Sequence, residues 1–354
     1  MERDAAKLLG DEAFPILRYT YFMDDIRWGM IGTGDVTERK SGPAFNKVEH
    51  STLAAVMNRT TAKAADYAKR HGVPRWYETA EELIADPEIN AVYIATPPDS
   101  HMEYTRRVAA AGKAVYVEKP MARTYAECQE MVETCRKAGV PLFVAYYRRC
   151  LPAFLKVREL VHSGAVGDVR LINARLFHPP HAGDGDPANL PWRVKPEIAG
   201  GGYFYDLASH QLDYLDYLFG PVTAAAGIAG NQGGLYPAED VVTGAWKHTN
   251  ATPFASGVQG SGAWCFTAAP GQQTDLAEIV GSRGRITFSF FEQIPVRLEN
   301  DDGVQEWNFP RQDPIQQPLV QTIVDELRGV GKCPSTGESA ARTNRVLGEM
   351  LRFL

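Results

Sequence analysis

The chain has 354 residues, 44% hydrophobic and 23% charged, which suits two hydrophobic cores, since a single core stops growing near roughly 250 residues. Its formal charge of −6 gives no basic field for a nucleic-acid backbone or an anionic membrane surface. No stretch approaches the ~20 apolar residues of a membrane helix, and the first residues lack the basic-then-apolar order of a secretory signal, so a cytoplasmic address is expected. The five cysteines, Cys128, Cys135, Cys150, Cys265 and Cys333, are odd in number. They form neither C-x-x-C pairs nor zinc spacing, so neither a disulfide scaffold nor a metal site is expected.

Residues 1–22 carry no clear element, and Met23 stands just before the first strand. Met23 as the natural start, with an upstream extension over 1–24, competes with a genuine N-terminal arm packed on a neighbour. From Ile26 onward short β-rich runs alternate with helical spacing, the pattern of βαβ units and a parallel sheet. Strands are predicted at 26–31, 51–57, 91–95, 114–117 and 141–145. Helices are predicted at 61–70, 79–84, 100–111 and 124–138, several stopped by Gly72, Gly112 or Gly139.

After Tyr147 the pattern changes. A helix over 152–163 and a strand over 169–177 precede a loop rich in Pro, Gly, Asp and His over 178–202, then a helix over 203–219. Alternating runs at 222–228, 241–246, 256–266, 275–280, 285–289, 295–298 and 304–309, joined by Gly and Asn turns, imply an antiparallel sheet. Helices at 315–328 and 338–354 finish the chain.

Gly32-Thr33-Gly34 follows a strand and precedes a helix opened by Asp35 and Val36, the setting in which backbone can approach a pyrophosphate. The third fingerprint position holds Thr37 instead of Gly or Ala, so the motif is incomplete. The second strand ends in Asn58-Arg59, with Asn58 where an acid would bond the ribose hydroxyls of NAD. A neutral residue followed by Arg accommodates a 2′-phosphate, so NADP is favoured over NAD; the alternative makes Arg59 a solvated helix-start residue. Thr96-Pro97-Pro98 and Glu118-Lys119-Pro120 close two further strands of the same sheet, where open parallel sheets hold ligands. The bland reading of Glu118 and Lys119 is a surface pair in a turn. Asp206 and His210, four apart on the helix over 203–219, share one face, which Asp213 and Tyr217 extend.

These ordered features, Gly32-Thr33-Gly34, Thr96-Pro97-Pro98 with His101, Glu118-Lys119-Pro120, and Gly201-Gly202 ahead of Asp206 and His210, resemble the Gfo/Idh/MocA oxidoreductases from about residue 25 to the C-terminus. The resemblance implies a doubly wound Rossmann domain (25–147) followed by an α+β domain (148–354) whose large, mainly antiparallel sheet commonly forms the oligomer contact. It makes Lys119 the catalytic lysine, with Pro120 often preceded by a cis bond. It makes His210 the proton acceptor in oxidation, since imidazole titrates nearest neutral pH, and Asp206 the residue that orients substrate through a neighbouring hydroxyl. Thr96, Pro97, Pro98, His101, Glu118 and Lys119 would join the glycine loop around the cofactor.

The segment Tyr146-Tyr147-Arg148-Arg149 resembles one that lines the cleft; its arginines, Arg149 above all, either bind substrate or cofactor or pair with acids across the interface. Trp192-Arg193 resembles a position near cofactor and substrate. Gly200, Gly201 and Gly202 either let backbone pass close to a nicotinamide or form a flexible linker. Asp206, His210 and Asp213 could together hold a divalent metal, though hydride chemistry needs none. The expected activity is NAD(P)-dependent hydride transfer at a CH–OH group of a sugar or cyclic polyol. Its rivals are a glycoside hydrolase that retains NAD and a regulator that senses dinucleotide without catalysis.

Overall fold

The computed structural model describes residues 23–249 and 257–352. The segment 1–22, all but the last two residues of the expected extension over 1–24, lies outside the described residues, as do the first residue of the strand predicted from 256 and the end of the last helix. Among the described residues no helix is long and apolar enough to cross a membrane.

The N-terminal region runs β1 (Ile26–Ile31), α1 (Asp35–Arg39), β2 (Ser51–Met57), α2 (Thr61–His71), β3 (Arg75–Tyr77), α3 (Ala80–Ala85), β4 (Ala91–Ile94), α4 (His101–Ala110), β5 (Ala114–Val117), α5 (Tyr125–Ala138) and β6 (Leu142–Val144). Its six strands are all parallel, in the order β3-β2-β1-β4-β5-β6. Side chains alternate between two buried layers, as a sheet covered on both faces requires. Trp28, Tyr93, Tyr116 and Phe143 face one core, and Ile31, Ile94, Val115 and Val144 face the other. The edge strand β3 escapes the sequence reading because it is three residues long, half-exposed and without a buried alternation.

The second region runs α6 (Pro152–His162), β7 (Val169–Phe177), α7 (Pro196–Ala199), α8 (Ser209–Phe219), β8 (Val222–Gly230), β9 (Val241–His248), β10 (Gln259–Cys265), β11 (Thr274–Gly281), β12 (Gly284–Phe288), β13 (Val296–Asn300), β14 (Gly303–Trp307), α9 (Gln317–Leu327) and α10 (Gly337–Met350). Eight strands form one sheet in the order β14-β13-β12-β11-β7-β10-β9-β8. It is antiparallel except where β7 pairs in parallel with β10. One face packs Trp246, Trp264, Ile279 and Phe288 against Phe154 of α6 and Leu212, Tyr214 and Leu215 of α8. On the other, Ala224, Ala226 and Ile228 of β8 and Thr243 and Ala245 of β9 are exposed.

The C-terminal helices cross the expected boundary at 147/148. Leu319, Val320, Ile323 and Val324 of α9 belong to the core that holds Trp28 and Tyr93. Residues of α10 divide, Ala340 and Ala341 packing with the parallel sheet and Val346, Leu347 and Met350 with the second.

Candidate active site

The order of strands reverses between β1 and β4, the place where loops part and ligands enter an open sheet. Gly32 there has φ +102°, and a Cβ on it would lie 2.7 Å from the Ala95 carbonyl oxygen, so the loops after β1 and β4 touch only because this residue is glycine. A Cβ on Gly34 would meet nothing within 4 Å, which leaves that side of the turn open to a phosphate. Thr33 and Thr37 are buried while Asp35 is exposed and Val36 half-buried. Thr37 fits the incomplete third position because its hydroxyl donates to the Gly34 carbonyl at 2.7 Å and its own carbonyl accepts the Tyr67 hydroxyl at 2.8 Å. Asn58 donates to the Thr33 hydroxyl at 2.8 Å and accepts from the Thr60 amide at 2.9 Å. That fixes an uncharged group at the end of β2, with exposed Arg59 beside it.

The side chains of His101 and Glu118, two residues expected at the cofactor, brace the loops at this end of the sheet. His101 is fully buried; its Nε2 lies 2.7 Å from the Thr96 carbonyl oxygen, and its Nδ1 lies 3.1 Å and 3.2 Å from those of Met121 and Pro120. It therefore ties the Thr96-Pro97-Pro98 loop to the Lys119-Pro120 loop. Burial depresses its pKa even though these carbonyls favour the protonated ring. The Glu118 carboxylate points inward, accepting from the Tyr93 hydroxyl and from Gln316 Nε2, each at 2.6 Å. The second Glu118 oxygen accepts from the Lys119 amide at 3.1 Å, so both side chains fix the loops on which they stand.

Lys119, before a cis Lys119-Pro120 bond, faces the second region. Its Nζ lies 2.5 Å from Asp206 Oδ1 and 3.1 Å from the Asp206 carbonyl oxygen. The predicted regular helix over 203–219 opens as a π-helical turn, Phe204–Ala208, before α8, and such turns recur at functional sites. Within it the Asp206 carbonyl accepts from the Ser209 hydroxyl at 2.8 Å as well as from Lys119. The second carboxylate oxygen of Asp206 meets Arg193 Nε at 3.2 Å, and that guanidinium stacks on Trp192 at 4.5 Å. Burial raises the Asp206 pKa, but the charges of Lys119 and Arg193 outweigh it and hold the carboxyl below its ordinary range. Asp206 is thus the hub of two ion pairs instead of a free acceptor, though a carboxylate keeps lone pairs for a further donor.

His210 is buried among the rings of Tyr146, Tyr147 and Phe291, at centroid distances of 5.9, 5.1 and 6.1 Å. Burial first, then the charges of Arg148, Lys119 and Lys40, keep its pKa well below the usual imidazole value, so it is neutral at pH 7. Its Nδ1 makes no hydrogen bond within the protein. The arrangement therefore offers an ammonium held beside a neutral imidazole, a donor and a proton acceptor in one cleft.

Two family models match the chain, one described as an oxidoreductase family with an NAD-binding Rossmann fold over residues 26–146 and one as a GFO/IDH/MocA C-terminal domain over residues 154–287. The chain belongs to the Gfo/Idh/MocA oxidoreductase family. An oxidoreductase of Formosa agariphila is 37% identical over 330 residues, 91% of this chain and 97% of that protein. The 1,5-anhydro-D-fructose reductase of Ensifer adhaerens is 32% identical over 213 residues, 59% of this chain and 61% of its own length. Among solved structures, the aldose-aldose oxidoreductase from Caulobacter crescentus complexed with glycerol superposes with a TM-score of 0.80 at 26% identity, covering 93% of this chain and 97% of that one.

Within this family member the two arginines of the junction separate. Arg149 is buried and spent: Nε and Nη2 donate to Asp213 at 2.8 and 2.5 Å, and Nη1 donates to the Pro334 carbonyl and, at 3.1 Å, to the Ser339 hydroxyl. Of its two readings its contacts match the pairing with an acid, though that acid, in α8, lies on the same side of the 147/148 boundary as Arg149 itself. The same pair removes Asp213 from any metal set with Asp206 and His210. Gly200–Gly202 form no loose linker, because a Cβ on Gly200 would lie 2.5 Å from the Arg123 carbonyl oxygen and one on Gly202 2.6 Å from that of Glu239.

Sequence reasoning missed three contributors. Gln316, which joins Glu118 to the Tyr116 hydroxyl, lies about 200 residues downstream with no local signal. Asp184, which accepts from the Tyr203 hydroxyl and the His181 amide, anchors the 178–202 loop; its only signal is a Gly-Asp-Gly-Asp run. Phe291 belongs to the turn that Asp275 caps through the Phe290, Phe291 and Glu292 amides.

Proposed function

We propose that this protein is an NADP-preferring dehydrogenase or reductase acting on a CH–OH group of a sugar or polyol, in the cytoplasm. The observation that carries the reading is the meeting of Lys119, from the dinucleotide-binding domain, with Asp206 at 2.5 Å beside a buried, neutral His210. A bound nicotinamide supplies or takes the hydride. The protein's part is the proton and the charge. His210 accepts the hydroxyl proton in oxidation and returns it in reduction. Lys119 donates a hydrogen bond to the same oxygen as it gains negative charge. Asp206 holds Lys119 and Arg193 in place, and Trp192 offers an aromatic face to sugar C–H groups.

Gly32, Thr33 and Gly34 with Asp35 and Val36 fit the pyrophosphate and its approach; Asn58 and Arg59 fit a 2′-phosphate better than bare ribose hydroxyls; and Thr96, Pro97 and Pro98 wall the cleft between them. The open face of the eight-stranded sheet, with Ala224, Ala226, Ile228 and Ala245 exposed, suits self-association of two such sheets.

The test is titration with NADPH and with NADH, following nicotinamide fluorescence, beside turnover on a panel of sugars and cyclic polyols. Expected are tighter NADPH binding and a fall in turnover of about 10²–10⁴ in Lys119→Ala with binding retained. A folded, cofactor-free protein that binds neither nucleotide sinks the reading. Turnover without added cofactor points to the retained-NAD hydrolase, and binding without any turnover to the sensor.

A further inference from the structure

Arg148 differs from its neighbour Arg149 in having no acid. It is buried, 4% exposed, and its Nε donates to the Phe290 carbonyl at 2.9 Å. Its guanidinium lies between the Tyr147 and Phe291 rings, at 5.1 and 4.4 Å from their centroids, and Nη1 makes no hydrogen bond. Among the described residues no carboxylate forms an ion pair with it. A buried guanidinium with an open nitrogen calls for an anion, because neither ring satisfies an N–H or fully compensates the charge.

The rings that hold Arg148 are the rings that surround His210, so the open cation borders the proton-transfer centre. It follows β6, which is separated from β1 by β4 and β5; three strand spacings of about 4.8 Å part it from the glycine loop where the cofactor's phosphates belong. Exposed Lys40, which forms no ion pair of its own among the described residues, adds positive potential at both Asp206 and His210.

We infer that Arg148 is a substrate-binding residue for a carboxylate, and that the alcohol transformed here is borne by a sugar acid. This rests on the oxidoreductase reading of the same site and narrows its substrate. A carboxylate fits better than a phosphate because one half-spent guanidinium supplies few donors, whereas a phosphate dianion usually gathers several.

The experiment uses the NADPH-saturated protein and compares D-glucuronate, D-galacturonate and D-gluconate, each with its own neutral amide, by calorimetric titration and by kcat/KM. At least one acid should bind about tenfold or more tightly than its amide. That ratio should shrink with added salt, collapse toward one in Arg148→Gln and partly return in Arg148→Lys. Equal binding of acids and amides, no binding of any acid, or an undiminished ratio in a folded Arg148→Gln overturns the inference. Should that variant not fold, the wild-type ratio decides. Tighter binding of D-glucose 6-phosphate than of every sugar acid replaces carboxylate by phosphate and equally overturns it. Failure to bind NADPH, or turnover surviving Lys119→Ala, speaks against the oxidoreductase reading instead.

Discussion

Lys119 and His210 lie within electrostatic reach of each other but are prepared differently. Lys119 stands on the loop after β5, at the sheet edge where the loops after β1 and β4 also emerge, so its direction follows from the strand that precedes it. His210 stands on an interrupted helix, and its character comes from residues far along the chain: Tyr146, Tyr147 and Phe291 enclose it, and Arg148, Lys119 and Lys40 act on it. A sheet-edge group is thus positioned by local geometry, whereas a helical group acquires its chemistry from whatever packs around it. The neighbouring arginines repeat the lesson, Arg149 closed on Asp213 and Arg148 open beside His210.

The strongest way to break this contrast is at His210. Because its pKa is depressed, kcat/KM for oxidation should rise with pH through an apparent pKa below about 6.5 and be level through neutrality. His210→Asn should remove that limb and cost about 10²–10⁴ in rate; a limb that survives the substitution assigns the proton to another group. Arg149→Ala should leave the Asp213 carboxyl buried without its partner and cost roughly 3–5 kcal/mol in denaturant unfolding. A loss under about 1 kcal/mol would mean the site tolerates that charge, as surface pairs do.

Glu239 sharpens the comparison on the second domain, where its carboxylate accepts the Gly202 amide at 2.7 Å ahead of the π turn. Burial lifts its pKa from 4.5 to about 7, so the folded state holds a proton the unfolded chain releases. Stability should then fall as pH rises between these values. Glu239→Gln should flatten that slope and recover at most about 3 kcal/mol above pH 7, as read from melting curves across pH. The smallest effect is expected at the local end: Asn58→Asp should move the ratio of NADPH to NADH affinity toward NADH by about tenfold or more, and an unchanged ratio would place the 2′-substituent elsewhere.

Much of the parallel domain was legible because βαβ units punctuate themselves. Strands buried on both faces read as short apolar runs, and Gly72 and Gly139 cap their helices in left-handed conformation. The second sheet was legible as a set of strands but not in order. The position of β7 between β10 and β11, and its parallel pairing, depend on a crossover through the 178–202 loop and α8 that no period reports. The expected catalytic residues were legible as residue types, and among them Lys119 and Asp206 pair at 2.5 Å while the Lys119 charge acts on His210. Their partners were not: the side chains of His101 and Glu118 bind Thr96, Met121, Tyr93 and Gln316.

By itself, then, the order of residues determined which side chains could do chemistry and on which kind of element they stand, since strand alternation, glycine turns and prolines act over a few positions. Only the tertiary structure decided which charges are paired. Coulombic and hydrogen-bond partners are chosen by distance in space, and here the deciding contacts join residues such as 119 with 206 and 149 with 213, beyond the reach of any local pattern.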